Sequence, residues 1–282
     1  MSNKRLLYFK NINLNFSNYK ILQKNFKISS IKNLKQTSKL DKKILDEIFA
    51  IYCDPNYFFS KKFLKKFENL RILISSTTSV GFIDREYCKT KKIKIISLEK
   101  QQKFLKSITP TAEHVFGLIL MISRNYLGAI KSVSQGKFNR RPFGGFGMLS
   151  RLKIGIIGYG RLGKLVNKIA KGFGMIVYKC DVKQKNFKKV LNFVVSNSDF
   201  ISLHIPSEKN YEFFSEKNIG KIKKPFFLIN TSRGEVVDEE YIVKQLKLKN
   251  ILGYATDVLK NEFSHNFKLK KNQIFKSKNR YN

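Results

Sequence analysis

The amino-acid sequence predicts an α/β protein built from two domains, each a parallel sheet with helices packed against it. Short apolar segments of strand length recur along the 282-residue chain, and amphipathic segments of helical period separate them. A glycine-rich turn follows one of the apolar segments. Hydrophobic residues make up 42% of the sequence, which is typical of a packed globular protein. Because alternating β and α segments pack as parallel sheets, this order predicts the fold class.

The first hundred residues carry one series of alternating segments. Short apolar strands are predicted at 5–9, 48–52, 71–75 and 93–98. Amphipathic helices are predicted over 40–49 and 60–67. This series predicts a small open parallel sheet that forms a first domain over residues 1–100.

A second series predicts a second domain over residues 101–282. It begins with a helix over 109–125, in which Thr111 is the predicted N-cap and Glu113 lies in the first turn. Residues 136–147, rich in glycine, arginine and aromatic side chains, predict a loop. Strands are predicted at 153–157, 175–179, 200–204, 226–230 and 252–256.

The glycine-rich turn, Gly158-Tyr-Gly160-Arg-Leu-Gly163, directly follows the strand at 153–157 and precedes a predicted helix over 164–173. In the Rossmann dinucleotide fingerprint the first glycine allows a tight turn, the second lets a pyrophosphate approach, and the third permits close packing of helix on strand. The helix N-terminus offers N–H groups and partial positive charge to phosphates. A chance glycine-rich turn is the alternative, and the flanking strand and helix favour the dinucleotide site.

The next predicted strand is followed by Asp181, 23 residues beyond Gly158. A carboxylate here accepts hydrogen bonds from both ribose hydroxyls and repels a 2′-phosphate, which favours NAD over NADP. Lys179, Lys183 and Lys185 weaken that preference, because they could hold an added phosphate. The expected cofactor is NAD.

Two further strand ends carry charged side chains that suit catalysis. Arg233 follows the strand at 226–230, and Asp257 and Glu262 follow the strand at 252–256. Ligands of open α/β sheets bind at the carboxyl ends of the strands. The planar guanidinium of Arg233 suits a substrate carboxylate, and Glu262 could hold a catalytic histidine in its protonated form. Taken singly, these residues are better interpreted as an ordinary loop arginine and surface carboxylates.

In their order, these motifs resemble those of the D-isomer-specific 2-hydroxyacid dehydrogenases, a family that includes phosphoglycerate, glycerate and D-lactate dehydrogenases. The resemblance spans about residues 48 to 265. Residues 75–84 resemble the family's substrate loop, and residues 111–125 resemble the first helix of its cofactor domain. The other matching segments are the turn at Gly158, Ser202-Leu-His204-Ile-Pro206, Asn230-Thr-Ser-Arg233-Gly-Glu-Val-Val-Asp, and Asp257-Val with Glu262.

The resemblance implies two Rossmann-like βαβ domains with parallel sheets, an active site in the interdomain cleft, and NAD-dependent interconversion of a D-2-hydroxy acid and its 2-keto acid. Arg233 would bind the substrate carboxylate and polarise the carbonyl, and Glu262 would belong to the family's Glu-His pair. The backbone of Ser79, Val80 and Gly81 would bind the same carboxylate, with Ser79 standing where the family usually has glycine. A homodimer through the cofactor domains, with residues 109–147 contributing, is also implied. The implied NAD contacts are Gly158, Gly160, Arg161, Leu162, Gly163, Asp181, Pro206, Thr231, Arg233 and Asp257.

The family's acid-base group is the feature that this sequence does not match. The family takes its proton donor from a histidine in a Thr-Pro-His-type segment beyond the glutamate, and the sequence ends at Asn282, where that segment would begin. His114, His204 and His265 do not suit the role. We therefore expect a C-terminally truncated chain, lacking the return segment of its first domain, that binds NAD and turns over poorly. The alternative is a non-enzymatic or inactive NAD-binding remnant.

The formal charge of +36 raises nucleic-acid binding as a further alternative. Only ten of the 56 basic residues are arginine, and the lysines are spread along the chain without a base-stacking aromatic cluster. We therefore expect no specific nucleic-acid partner. No apolar run reaches the roughly 18 residues of a membrane span. The three scattered cysteines, Cys53, Cys88 and Cys180, predict reduced thiols, no metal site and a cytoplasmic location.

Overall fold

The structure, a computed structural model, describes residues 4–12, 14–262, 267–269, 272 and 274. The chain divides into two compact units, Met1–Ser107 and Ile108–Asn282. In the described residues each unit contains a five-stranded parallel sheet, which confirms the predicted fold class. The same residues include no helix that is long and apolar enough to cross a membrane.

The first unit has the strand order β2-β1-β3-β4-β5, with all strands parallel. Its core includes Phe9, Ile51, Phe59 and Leu73, all fully buried. The elements are β1 (Arg5–Phe9), α1 (Phe16–Asn25), β2 (Lys27–Ile31), α2 (Lys42–Glu47), β3 (Ile48–Tyr52), α3 (Lys61–Leu64), β4 (Ile72–Ile74), α4 (Arg85–Thr90), β5 (Lys94–Ile96) and α5 (Gln102–Lys106).

The first unit differs from the sequence prediction in its helices and in one edge strand. The helices α1, α4 and α5 were not predicted, and α3 is shorter than the helix predicted over 60–67. The strand β2 was not predicted because it is an edge strand in which only Ile31 is buried, so it has no apolar run. The helix predicted over 40–49 is shorter than expected. It ends at Glu47 because Ile48 pairs with Arg5 in the sheet.

The second unit has the strand order β10-β9-β8-β6-β7, also parallel throughout. The chain leaves β6 toward β7 and then crosses to β8 on the other side, so the sheet's switch point lies between β6 and β8. Ligands of doubly wound sheets bind at the carboxyl ends of the strands near this point. The elements are α6 (Pro110–Ser123), α7 (Tyr126–Ser134), β6 (Lys153–Ile157), α8 (Arg161–Gly172), β7 (Ile176–Cys180), α9 (Phe187–Asn197), β8 (Phe200–Leu203), α10 (Glu216–Ile219), β9 (Phe226–Asn230), α11 (Glu239–Lys247) and β10 (Ile251–Thr256).

All five strands predicted for this unit are present, each within one residue of its expected bounds. The predicted N-cap of α6 is wrong: Thr109 holds that position, and Thr111 lies inside the first turn. The physical reason is Pro110, whose fixed φ suits the first helical position and which needs no backbone N–H there. The Thr109 hydroxyl donates to the Glu113 carboxylate.

Candidate functional site

In the glycine-rich turn between β6 and α8, two glycines lie too close to other backbone atoms to be replaced by a larger residue. Gly158 adopts a φ of +95°, and a β-carbon on it would lie 2.4 Å from the carbonyl oxygen of His204. A β-carbon on Gly163 would lie 2.2 Å from the carbonyl oxygen of Gly158. Turn, helix and neighbouring strand are therefore packed backbone to backbone, as the fingerprint requires.

The N-terminus of α8 is open at Gly160. A β-carbon on this glycine would meet nothing within 4 Å, and no side chain caps the helix in the described part of the chain. Arg161 donates to the carbonyl oxygen of Ile108 at 3.1 Å, and Leu162 packs against the core beneath the turn. An uncapped helix N-terminus with open space beside it suits an anionic group.

Asp181 holds the turn after β7 against the glycine-rich turn. Its Oδ2 accepts from the backbone N–H of Tyr159 at 2.8 Å, and its Oδ1 accepts from that of Lys183 at 3.0 Å. The Lys179 amine lies 4.8 Å from the centre of the Tyr159 ring. The carboxylate predicted to bind a ribose thus also fixes the turn that precedes α8.

His204 follows β8 and faces Ser202, whose Oγ lies 2.9 Å from the histidine Nε2. Burial lowers the pKa of His204 to about 4, so the ring is neutral near pH 7. Its Nδ1 is buried and has no partner among the described residues. Pro206 is exposed, and its carbonyl oxygen accepts from Asn210 at 2.7 Å.

The loop after β9 is organised by Asn230, which is fully buried. Its Oδ1 accepts from the Ser232 N–H and hydroxyl at 3.1 and 2.7 Å, and its Nδ2 donates to the Arg233 carbonyl at 3.0 Å. Thr231 is 7% exposed, and its hydroxyl oxygen has no partner among the described residues. Since Leu203 pairs with Asn230, Thr231 and His204 occupy the next position on neighbouring strands.

Arg233 is available for a ligand. Its Nη1 donates to the Ser232 carbonyl at 2.7 Å, and it forms no ion pair with any carboxylate in the described ranges. The guanidinium is half-buried and has no carboxylate partner in the described ranges, so its geometry suits the carboxylate of a substrate.

The loop after β10 carries Asp257 and Glu262. The Glu262 Oε2 accepts from the backbone N–H of Leu259 at 3.0 Å. Burial raises the pKa of Glu262, against the lowering effect of the Leu259 N–H and of Arg233. Asp257 is exposed, and its Oδ2 lies 3.6 Å from the Nε2 of His114.

The first unit contains the predicted substrate loop after β4. Val80 is buried in the core, while Gly81 is exposed. The Thr77 hydroxyl donates to the Ser79 carbonyl at 2.6 Å, and Ser79 is not among the residues with positive φ, so serine fits this position without strain. Within the described chain, the backbone N–H groups of Ser79, Val80 and Gly81 have no acceptor.

The structure therefore brings the predicted residues of the second unit to one edge of its sheet, at the carboxyl ends of β6 to β10, while Ser79 to Gly81 belong to the first unit. His265 lies outside the described residues. No role was predicted from the sequence for Asn230, Tyr254 or Lys260. The Tyr254 hydroxyl lies 3.4 Å from Asn230 Nδ2, and burial raises its pKa to about 12. The sequence feature that could have indicated this cluster is Asn230, a polar residue at the end of an apolar strand.

Residues 116–280 match the family model for the NAD-binding domain of the D-isomer specific 2-hydroxyacid dehydrogenases. A glyoxylate reductase of Korarchaeum cryptofilum is 34% identical over 165 residues, covering 54% of this chain and 49% of the relative. A glycerate dehydrogenase of Methylorubrum extorquens is 29% identical over 205 residues, covering 71% of this chain and 64% of the relative.

The fold is similar to that of a D-lactate dehydrogenase from Aquifex aeolicus, solved as a complex with NAD and lactic acid. The TM-score is 0.74 at 25% identity, covering 91% of this chain and 77% of that one. The chain spans about half the length of the curated relatives it matches first.

Proposed function

The chain belongs to the D-isomer specific 2-hydroxyacid dehydrogenase family, and on that premise we propose that it interconverts a D-2-hydroxy acid and its 2-keto acid with NAD. The observation that carries the proposal is the sheet edge of the second unit. There the glycine-rich turn, Arg233, which pairs with no carboxylate of the described residues, and the carboxylate of Glu262 follow three strands of one sheet. Bound NAD would supply or accept the hydride.

The residues at this edge fit a dinucleotide. The open space at Gly160 and the uncapped helix N-terminus suit a pyrophosphate, and Asp181 keeps acceptor capacity for ribose hydroxyls. Two buried polar atoms, Thr231 Oγ1 and His204 Nδ1, lack partners in the described protein, and such atoms require a ligand or water. We propose that NAD is held by Gly158, Gly160, Arg161, Leu162, Gly163, Asp181, Pro206, Thr231, Arg233 and Asp257.

For the substrate, we propose that Arg233 binds the carboxylate and orients the carbonyl. We also propose a substrate-binding role for Ser79, Val80 and Gly81 of the first unit, because backbone N–H groups without an acceptor in the described chain favour negative charge. Glu262, whose pKa is raised chiefly by burial, is proposed to hold and tune an acid-base histidine.

A second candidate function, NAD binding with little or no turnover, is favoured by one specific observation. Neither histidine of the described residues suits proton transfer to a substrate. The His204 ring is neutral and bonded to Ser202, and His114 lies beside Asp257 on the exposed N-terminal part of α6. In this case the chain would keep the cofactor site and lack the proton donor.

The experiment that separates the two functions is a turnover assay with NADH and the short 2-keto acids glyoxylate, hydroxypyruvate and pyruvate. The dehydrogenase proposal predicts NADH oxidation with a D-hydroxy acid as product. Saturable NADH binding without oxidation would establish the second function instead. If the chain neither binds nor oxidises NADH, both proposed functions are wrong.

We also propose a homodimer through the second unit. Tyr126, Leu127, Ile130 and Val133 lie on one face of α7 and are all exposed, with Leu127 at 68%. Helical spacing makes this a continuous apolar stripe, which a monomer would leave in water. A second copy of the chain is the occupant, since the same stripe can face itself across a two-fold axis.

A further inference from the structure

The loop after β10 is held by three glutamates that belong to other segments of the second unit. The backbone N–H of Lys260 donates to Glu239 Oε1 at 3.0 Å, and that of Asn261 donates to Glu235 Oε1 at 3.2 Å. The Lys260 side chain pairs with the third, Glu212. Both the backbone and the side chain of this segment are therefore fixed by carboxylates.

The same loop packs directly on the residue that follows Arg233. A β-carbon on Gly234 would lie 2.0 Å from the carbonyl carbon of Leu259 and 2.3 Å from the Lys260 nitrogen. The Thr256 hydroxyl lies 2.8 Å from the carbonyl oxygen of Asn230. The segments after β9 and β10, with Arg233 on one and Glu262 on the other, thus form a single packed structure.

Lys260 joins a third loop to this structure, the one after β8. Its amine pairs with Glu212 and lies 5.0 Å from the centre of the Tyr211 ring, and the Glu212 N–H donates to the Glu235 carbonyl at 2.8 Å. Burial alone would lower the pKa of Lys260, but Glu212 and Tyr211 outweigh it and raise that pKa. The lysine is 23% exposed, so its pair with Glu212 is more shielded from water than an ordinary surface ion pair.

We propose that Lys260 is a positioning residue for the nicotinamide half of bound NAD, acting through its pair with Glu212. With the adenosine half at Asp181 after β7, the nicotinamide half would lie across the switch point, toward the ends of β9 and β10. The pair fixes the loop that carries Asp257 relative to Arg233 at that end of the sheet. Within the described residues the contacts of Lys260 outside its own loop lie on the loops after β8 and β9 and on α11, and none lies on the glycine-rich turn. The adenosine diphosphate half of the cofactor should therefore not depend on Lys260. The inference rests on the proposed function.

The test is to titrate the wild type, Lys260→Met, Glu212→Gln and the double variant with NADH and, separately, with ADP-ribose, which lacks the nicotinamide. We expect each single variant to bind NADH about tenfold more weakly, as when one charge-assisted contact that orders a loop is lost. ADP-ribose affinity should stay within about twofold, and the double variant should lose no more than either single one.

Lys244→Met is the matched control, because Lys244 pairs with Glu216 at 3.0 Å on an exposed surface of the same unit. It should change neither affinity. Equal loss of both ligands in Lys260→Met would indicate a merely structural role and overturn the inference, as would loss of neither. If Lys260→Met fails to fold in a thermal scan, Glu212→Gln decides by the same criterion. If the wild type binds ADP-ribose and NADH equally well, the nicotinamide adds nothing to the affinity and the inference is wrong. If the wild type binds neither ligand, the proposed function itself is wrong.

Discussion

The carbonyl oxygen of His204 lies 2.4 Å from the position that a β-carbon on Gly158 would occupy, at a φ of +95°. Two strands meet here with no space between their backbones. Gly158→Ala would combine this overlap with a strained φ, so we expect it to lower the free energy of unfolding by about 2 to 4 kcal/mol. Urea denaturation followed by circular dichroism measures the change. An alanine variant as stable as the wild type would contradict the described turn.

Gly160, in the same turn, has space for a side chain, unlike Gly158. Its φ is not positive, and a β-carbon on it would meet nothing within 4 Å, so Gly160→Ala should keep wild-type stability. If a pyrophosphate approaches this backbone, the added methyl group should weaken NADH binding about tenfold or more. Comparing NADH affinity with the unfolding midpoint checks both halves of the prediction. Unchanged affinity would place the pyrophosphate elsewhere.

His204 should make the stability of the chain depend on pH. Burial lowers its pKa to about 4 in the folded state, whereas an unfolded histidine titrates near about 6.5. Between these values the unfolded state binds more protons, so stability is lost as the pH falls from about 6.5 to about 4. We expect His204→Gln, which can still bond Ser202, to reduce this loss. Denaturation curves across that pH range provide the measurement, and identical pH slopes for the two proteins would contradict the neutral, buried ring.

The apolar stripe on α7 predicts the oligomeric state. Leu127→Glu places a charge in the centre of an exposed apolar face, so we expect a dimeric wild type and a monomeric variant in analytical ultracentrifugation. A matched control is Lys223→Glu, a charge change at an exposed position of the same unit outside residues 109–147. A wild type that sediments as a monomer would refute the dimer.

Much of the fold follows from local patterns in the sequence. Strands such as Phe226–Asn230 are buried at every position because both faces of a parallel sheet are covered, and the continuous apolar run that precedes Asn230 marks this strand in the sequence. The edge strand Lys27–Ile31 lacks the run because only Ile31 is buried, so it was not predicted. The N-cap of α6 was misplaced by two residues because a proline at the first helical position outweighs a threonine N-cap further along.

Residues of the site could be predicted from the sequence only where they belong to a known motif. The glycines and Arg233 belong to ordered signatures, so their positions could be predicted from the sequence. The contacts of Lys260 and Glu212 join residues 48 positions apart, and those of Asn230 and Tyr254 join residues 24 positions apart. No spacing rule connects such pairs, because strand register and loop packing bring them together.

Calorimetric titration of the wild-type chain with NADH is the decisive measurement of cofactor binding at this sheet edge. We expect saturable binding at one site per chain, weakened by Gly160→Ala while the unfolding midpoint stays unchanged. Absence of binding, or binding that Gly160→Ala leaves intact, would contradict the assignment of the sheet edge at β6 to β10 as the dinucleotide site.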